Sequence, residues 1–304
     1  MVEMASLLNV NRVHGRLFGI EIETEGRRLP VDAHMLDQIG WIATRDGSLR
    51  GEEAIEYVTS APLSLSKCAT ALQQLDKAFK THNSRVDPSI RAAIHIHINI
   101  SDLTPLEVFN FISAYYLIED LICRKAGENR QGNLFALRLS DAYGIIPGFI
   151  RPALEENNLR VLNTDEIRYA AMNLRSMFRH GTLEFRPIGT KAPFTSTIQP
   201  WLVLMHTLMQ NTRQHINNPI QLMELFSDRG GHQAATLLLG EAKANEWIFC
   251  HDDWEDVMME SARLIQDYIY APKDWESVFT SKRKKRSYTS DPEPMIIRNV
   301  RVEF

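Results

Sequence analysis

The stretch Ala93-Ile94-His95-Ile96-His97-Ile98-Asn99-Ile100 alternates isoleucine with a polar residue along its whole length. A period of two is the signature of a strand with one buried face; on a helix the same isoleucines would be scattered around the axis. The isoleucines are therefore predicted to enter a core, leaving His95, His97 and Asn99 together on the other side. Two imidazoles in an H-x-H pair on a strand can converge on a cation. A polar strand facing solvent has the same pattern, so the rest of the chain has to decide between the two.

Three further stretches carry matching chemistry. Residues 17–24 (LFGIEIET) place Glu21 and Glu23 on one side, about 7 Å apart along the strand. Two like charges there cost free energy unless a cation or basic group lies between them. Residues 54–60 (AIEYVTS) put Glu56 on the same face as Ala54 and Val58. In residues 182–190 (TLEFRPIGT), Thr182, Glu184 and Arg186 share one face while Leu183 and Phe185 take the other. A carboxylate and a guanidinium two residues apart can bind a metal and a phosphate side by side. Each acid alone reads equally well as a solvated or arginine-paired residue, and Asp46, before Gly47, as an ordinary turn residue. Together they suggest mixed carboxylate and histidine ligation, which suits Mg²⁺ or Mn²⁺ better than zinc.

The remaining chain supplies packing. Helical spacing is predicted over 64–82 and, after the cap Thr104-Pro105-Leu106-Glu107, to about Lys125. Residues 31–39 suggest a short helix, 41–44 an edge strand, and 141–163 short helical pieces and loop, read as a lid. From Pro193 the chain is expected to be mainly helical: 197–216, 219–228, 231–240 and 253–270. Arg130 lies in a polar loop as a candidate phosphate or carboxylate clamp. The run 282–286 (KRKKR) is read as a solvated tail that offers the one candidate contact with nucleic acid, and 295–304 as a returning strand.

At 304 residues, the chain fits one large domain or two closely packed ones. A net charge of −4 provides no global field to recruit nucleic acid or an anionic membrane. Three widely spaced cysteines form neither a zinc spacing nor a disulfide framework. With no signal-peptide pattern and no membrane-length apolar run, a cytoplasmic protein without membrane contact is expected.

In order along the chain, 19–23 (GIEIE), 46–48 (DGS), 55–62 (IEYVTSAP), 95–97 (HIH), Arg168-Tyr169 through Asn173, and 183–186 (LEFR) resemble the amidoligase family. That family belongs to the carboxylate–amine ligase superfamily with glutamate–cysteine ligase and glutamine synthetase. The resemblance covers roughly residues 15–190. It implies an α+β fold: an antiparallel, cupped sheet of glutamine synthetase-like type, with helices packed on one side and a helical C-terminal region. The expected division is a catalytic domain over 1–216 and a helical extension with a basic tail over 217–304. It further implies ATP-dependent amide-bond formation through an acyl phosphate, using Mg²⁺ or Mn²⁺. Glu21, Glu23, Asp46, Glu56 and Glu184 match metal-ligating positions, with one of His95 and His97 joining them. Arg186 matches the arginine that stabilises the transferring phosphoryl group, and Arg168 and Arg130 are similar to substrate or phosphate clamps. Asn173 and Ser48 fall within the matching motifs and are expected beside the nucleotide. The implied partner is a small molecule or peptide offering a carboxylate and an amine, and the protein is a candidate homo-oligomer. Two other classes fit the same residues: a catalytically silent binding or assembly protein, and a metal-dependent hydrolase.

Overall fold

The computed structural model describes residues 2–45, 47–127, 130 and 132–280. Asp46, the basic run 282–286 and the anticipated strand 295–304 lie outside the described residues. In chain order the elements are α1 (Met4–Leu8), β1 (Phe18–Arg27), α2 (Ala33–Gln38), β2 (Trp41–Thr44), β3 (Glu53–Thr59), α3 (Leu65–Thr81), β4 (Arg85–Val86) and β5 (Ala93–Asn99). They continue with α4 (Pro105–Cys123), α5 (Ile146–Glu155), β6 (Met172–Asn173), α6 (Ser176–His180), β7 (Thr182–Gly189), α7 (Phe194–His215), α8 (Pro219–Leu239), α9 (Glu241–Trp247) and α10 (Trp254–Ile269).

The alternating stretches become the middle of one open antiparallel sheet, ordered β2-β3-β1-β5-β7-β6, with the short β4 paired to the far end of β1. Ile94, Ile96 and Ile98 are buried, as are Phe18, Ile20 and Ile22 beside them and Leu183 and Phe185 beyond. Because side chains alternate, these residues define one apolar face. Helices α3, α4 and α7 cover it: Phe79 meets Tyr57 at 5.3 Å, Tyr115 meets Phe185 at 4.9 Å, and Phe18 lies 6.2 Å from His206, ring centre to ring centre.

α4 starts as its sequence dictates. Thr104 accepts from the Glu107 amide and Glu107 reaches back to the Thr104 amide, with Pro105 in the first turn. It is apolar nearly all round and accordingly buried. Helices α8 and α10 pack on its outer side, so 217–269 shares the core of the sheet. α8 breaks at Gly230, whose φ of 79° lies outside the helical region, and this divides it into the two pieces that the sequence suggests. α7 is capped from a distance. Asp76 on α3 accepts from the amides of Phe194 and Thr195 at 2.6 and 2.9 Å. Replacing Asp76 by Ala is expected to cost about 1 kcal/mol. Guanidinium unfolding midpoints test this, and an unchanged midpoint would rule out a stabilising cap.

Glu119, buried within α4, accepts the Leu139 amide at 2.6 Å. Burial pushes its carboxyl up to about 8, with the Leu139 hydrogen bond and Arg138 only partly opposing and Asp120 reinforcing. The folded state therefore holds a proton that the unfolded chain releases near the ordinary carboxyl value of 4.5. The resulting stability is complete below that value and is lost as pH rises towards 8. Glu119→Gln is expected to flatten this fall, which has a limiting slope of roughly 1.4 kcal/mol per pH unit. Parallel stability curves for the two proteins between pH 5 and 8 would contradict it.

Among the described residues no helix is long and apolar enough to cross a membrane. Cys68, Cys123 and Cys250 are free thiols.

Candidate functional site

The face of the sheet opposite the helices carries the polar halves of the same strands. Register pairs Glu21 with His95, Gly19 with His97, His97 with Glu184, and Glu23 with Glu56, so residues far apart in sequence form a grid. The acids and histidines of this grid line a chamber of about 800 Å³ whose other walls come from Arg186 and residues 163–180.

Within the grid, Glu21 lies 3.1 Å from His95 Nδ1 through one oxygen and 3.2 Å from His97 Nε2 through the other. Glu184 accepts from Asn173 at 2.8 Å and from Arg186 at 2.9 Å, and sits 3.5 Å from His95 Nδ1. Glu23 accepts the Ala93 amide at 2.9 Å, and Thr44 donates to Glu56 at 2.8 Å. His97 is oriented from behind: its Nδ1 lies 2.9 Å from Thr182 Oγ1 and 3.2 Å from Ser176 Oγ.

Charge follows from this geometry. Burial penalises the Glu21 carboxylate, but hydrogen bonds with His95 and His97 outweigh it and hold Glu21 well below the usual carboxylate range. Glu184 is likewise lowered: His95, Arg186 and His97 overcome its burial. His97 is pushed up despite burial, because Glu21 hydrogen-bonds it and both Glu184 and Glu21 attract its proton. The three residues are thus arranged around shared positive charge.

The donor set fits a divalent cation. One ligand atom each from Glu21, His97 and Glu184 lie within 4.8 Å of one another. His95 Nε2 is buried without a hydrogen-bond partner, and His97 Nε2 has only the Glu21 oxygen, 3.2 Å away. A buried imidazole nitrogen without a hydrogen bond is costly unless something else occupies its lone pair. His97 belongs to this set of three, whereas His95 bridges the carboxylates on the side. Glu23 and Glu56 line the chamber beyond the set.

The remaining expected residues are distributed unequally. Arg168, Asn173 and Arg186 line the chamber, and the Arg168 guanidinium stacks 4.4 Å above the Tyr169 ring. Arg130 does not line it. Only 4% exposed, Arg130 donates to the carbonyls of Pro187 and Arg186 at 2.9 Å each and borders a separate cavity behind β7. Its geometry braces the strand that carries Glu184, and it stands outside the chamber where a clamp is expected. Ser48 is exposed in a turn and does not border the chamber.

Sequence reasoning missed another wall of the chamber: Arg175 at the N-terminal cap of α6, and Arg179 and His180 on it. Gly181 ends α6 in the left-handed region, with φ of 66°, and hands the chain directly to β7. The R-x-x-x-R-H-G spelling immediately before Thr182 was the available signal, since Gly after a short helical turn marks a C-terminus. His180 packs edge-on against His97, 5.7 Å between ring centres; burial, His97 and Arg179 together lower its proton affinity.

A family model described as "putative amidoligase enzyme" matches residues 44–205, which contain most of this chamber. No curated protein matches the chain.

Proposed function

Because this chain belongs to the amidoligase family, we propose that it is an ATP-dependent carboxylate–amine ligase working in the chamber on the polar face of the sheet. One observation carries the reading. The Glu21–His97–Glu184 set lies on the same face as Arg186, with Arg168, Arg175 and Arg179 around it. That pairing of a cation site with guanidinium groups is what a triphosphate requires. The sheet is read, under the same proposal, as one of glutamine synthetase-like type. Residues 1–216 are read as the catalytic unit and the later helices as its extension.

A carboxylate is a poor acyl donor because its leaving group would be oxide. In the proposed reaction a substrate carboxylate oxygen bonds to the γ-phosphorus of ATP as the bond to ADP breaks. The amine nitrogen then attacks the acyl carbon of the resulting acyl phosphate, inorganic phosphate leaves, and the nitrogen gives up a proton. Mg²⁺ or Mn²⁺ held by Glu21, His97 and Glu184 would neutralise the triphosphate's charge. Arg186 is placed to stabilise charge on the transferring phosphoryl group, and its contact with Glu184 keeps the guanidinium in that position. Asn173 fixes the second oxygen of Glu184, and Thr182 and Ser176 fix the ring of His97. Arg168, Arg175 and Arg179 are assigned to the anionic substrate.

The direct test is Mg²⁺-dependent ADP release from ATP against a panel of acids paired with amino acids, polyamines and peptides. Release stimulated by one acid–amine pair is expected. Absence of both ATP binding and turnover with metal present would overturn the proposal in favour of a silent assembly protein.

A further inference from the structure

A second cavity, of about 290 Å³, opens beside the chamber and has different chemistry. Its walls include Val13, Leu17, Val58, Ala61 and Pro62 together with the uncharged Thr59, Ser60, Asn99 and Thr182, and it meets the chamber at Glu21, His97 and His180, which border both. No lysine or arginine lines it among the described residues. The chamber's four arginines all stand on the other side of those shared residues. The site is therefore an arginine-rich compartment joined through a carboxylate and two imidazoles to an apolar one.

We propose that the apolar annex binds the hydrocarbon part of a primary amine substrate, with its nitrogen at the neck beside Glu21 and His180. The naming of the substrate class rests on the ligase reading. The charge distribution favours this occupant over the acid. The acid is expected with the four arginines that line the chamber, which leaves the annex, lined by none, to the hydrocarbon part of the amine. Position 19 keeps the passage open. Gly19 lies opposite His97 on β5, and a Cβ built on it would come within 3.4 Å of the His97 Cβ. Any larger side chain would occupy the annex itself. At ~30 Å³ for each water-sized group, the volume holds an amine of up to about ten heavy atoms. The wall formed by 13–17 is held in place by Asn99, whose amide donates to the carbonyls of Val13 and Gly15 at 2.8 and 2.9 Å.

The test is calorimetric binding of an n-alkylamine series from methylamine to hexylamine, with hexanoate as the charge-reversed control. Affinity is expected to rise roughly fourfold per methylene until the annex is full. Hexanoate is expected to bind at least tenfold more weakly than hexylamine. Val58→Phe, opposite Glu21 in the β1/β3 register, and Gly19→Val are each expected to weaken hexylamine at least tenfold. Methylamine, too short to reach into the annex, is expected to bind within about twofold of the parent in whichever variant folds. A chain-length series without slope, a preference for hexanoate, or undiminished hexylamine binding in folded Val58→Phe would overturn the proposal. The two readings fail separately. Chain-length-dependent amine binding without ATP turnover would refute the ligase alone; turnover indifferent to amine length would refute the annex alone.

Discussion

Glu184→Gln is expected to lower Mg²⁺-dependent ADP release by roughly 10³-fold, equivalent to about 4 kcal/mol of transition-state stabilisation. The side chain stands at the junction of three functions. It offers a ligand atom within 4.8 Å of those of Glu21 and His97, and it accepts from Asn173 and from Arg186. Glutamine keeps the shape and one acceptor oxygen but removes the negative charge. The candidate cation site loses one of its two carboxylate charges, and Arg186 loses the anion that holds it in place. Folding changes little by comparison, about 1 kcal/mol, since one hydrogen bond is exchanged for a poorer one. The checks are single-turnover ADP release, Mn²⁺ affinity and the thermal midpoint on the same preparation. Full activity in a folded variant would remove Glu184 from the mechanism.

The neighbouring substitution should do the reverse. Phe185→Ala is expected to destabilise the fold by about 3–5 kcal/mol, as for other buried aromatic residues truncated to alanine. Phe185 is fully buried, with the rings of Tyr115 and Phe111 at 4.9 and 6.0 Å, and the cavity lies between the centre of the sheet and the most buried helix. Against a typical total of about 5–15 kcal/mol, that loss is a large fraction of the stability. Urea titration reports it as a lower midpoint at an unchanged slope. A loss under 1 kcal/mol would mean that the sheet and α4 do not pack as described. Adjacent residues on one strand thus carry separate burdens: one face holds the protein together and the other holds its charged groups.

That separation explains what was legible beforehand. β1, β5 and β7 announced themselves because isoleucine, leucine and phenylalanine recur at period two between charged residues, and few alternatives produce that pattern. The helix at 105 was readable from its cap and proline. What the sequence did not reveal was adjacency. β5 lies between β1 and β7, and only long-range pairing sets His97 between Gly19 and Glu184. Arg130 shows the limit for single residues: a loop arginine looks solvated or ligand-seeking. Here the backbone of β7, near a register shift opposite Ile94–Ile96, presents two carbonyls that take it into the interior. α6 was missed because a helix of one turn has too few residues to show periodicity, leaving Gly181 as the sole signal.

Asn99 completes the polar row of β5 but faces the N-terminal segment, not the charged chamber, and it is the amide that clasps Val13 and Gly15. On the proposed reading, substrate choice and phosphoryl chemistry hang on different parts of the chain. Drift at positions 13 or 17, or a loosened clasp, would change which amine is accepted while leaving every charged group untouched.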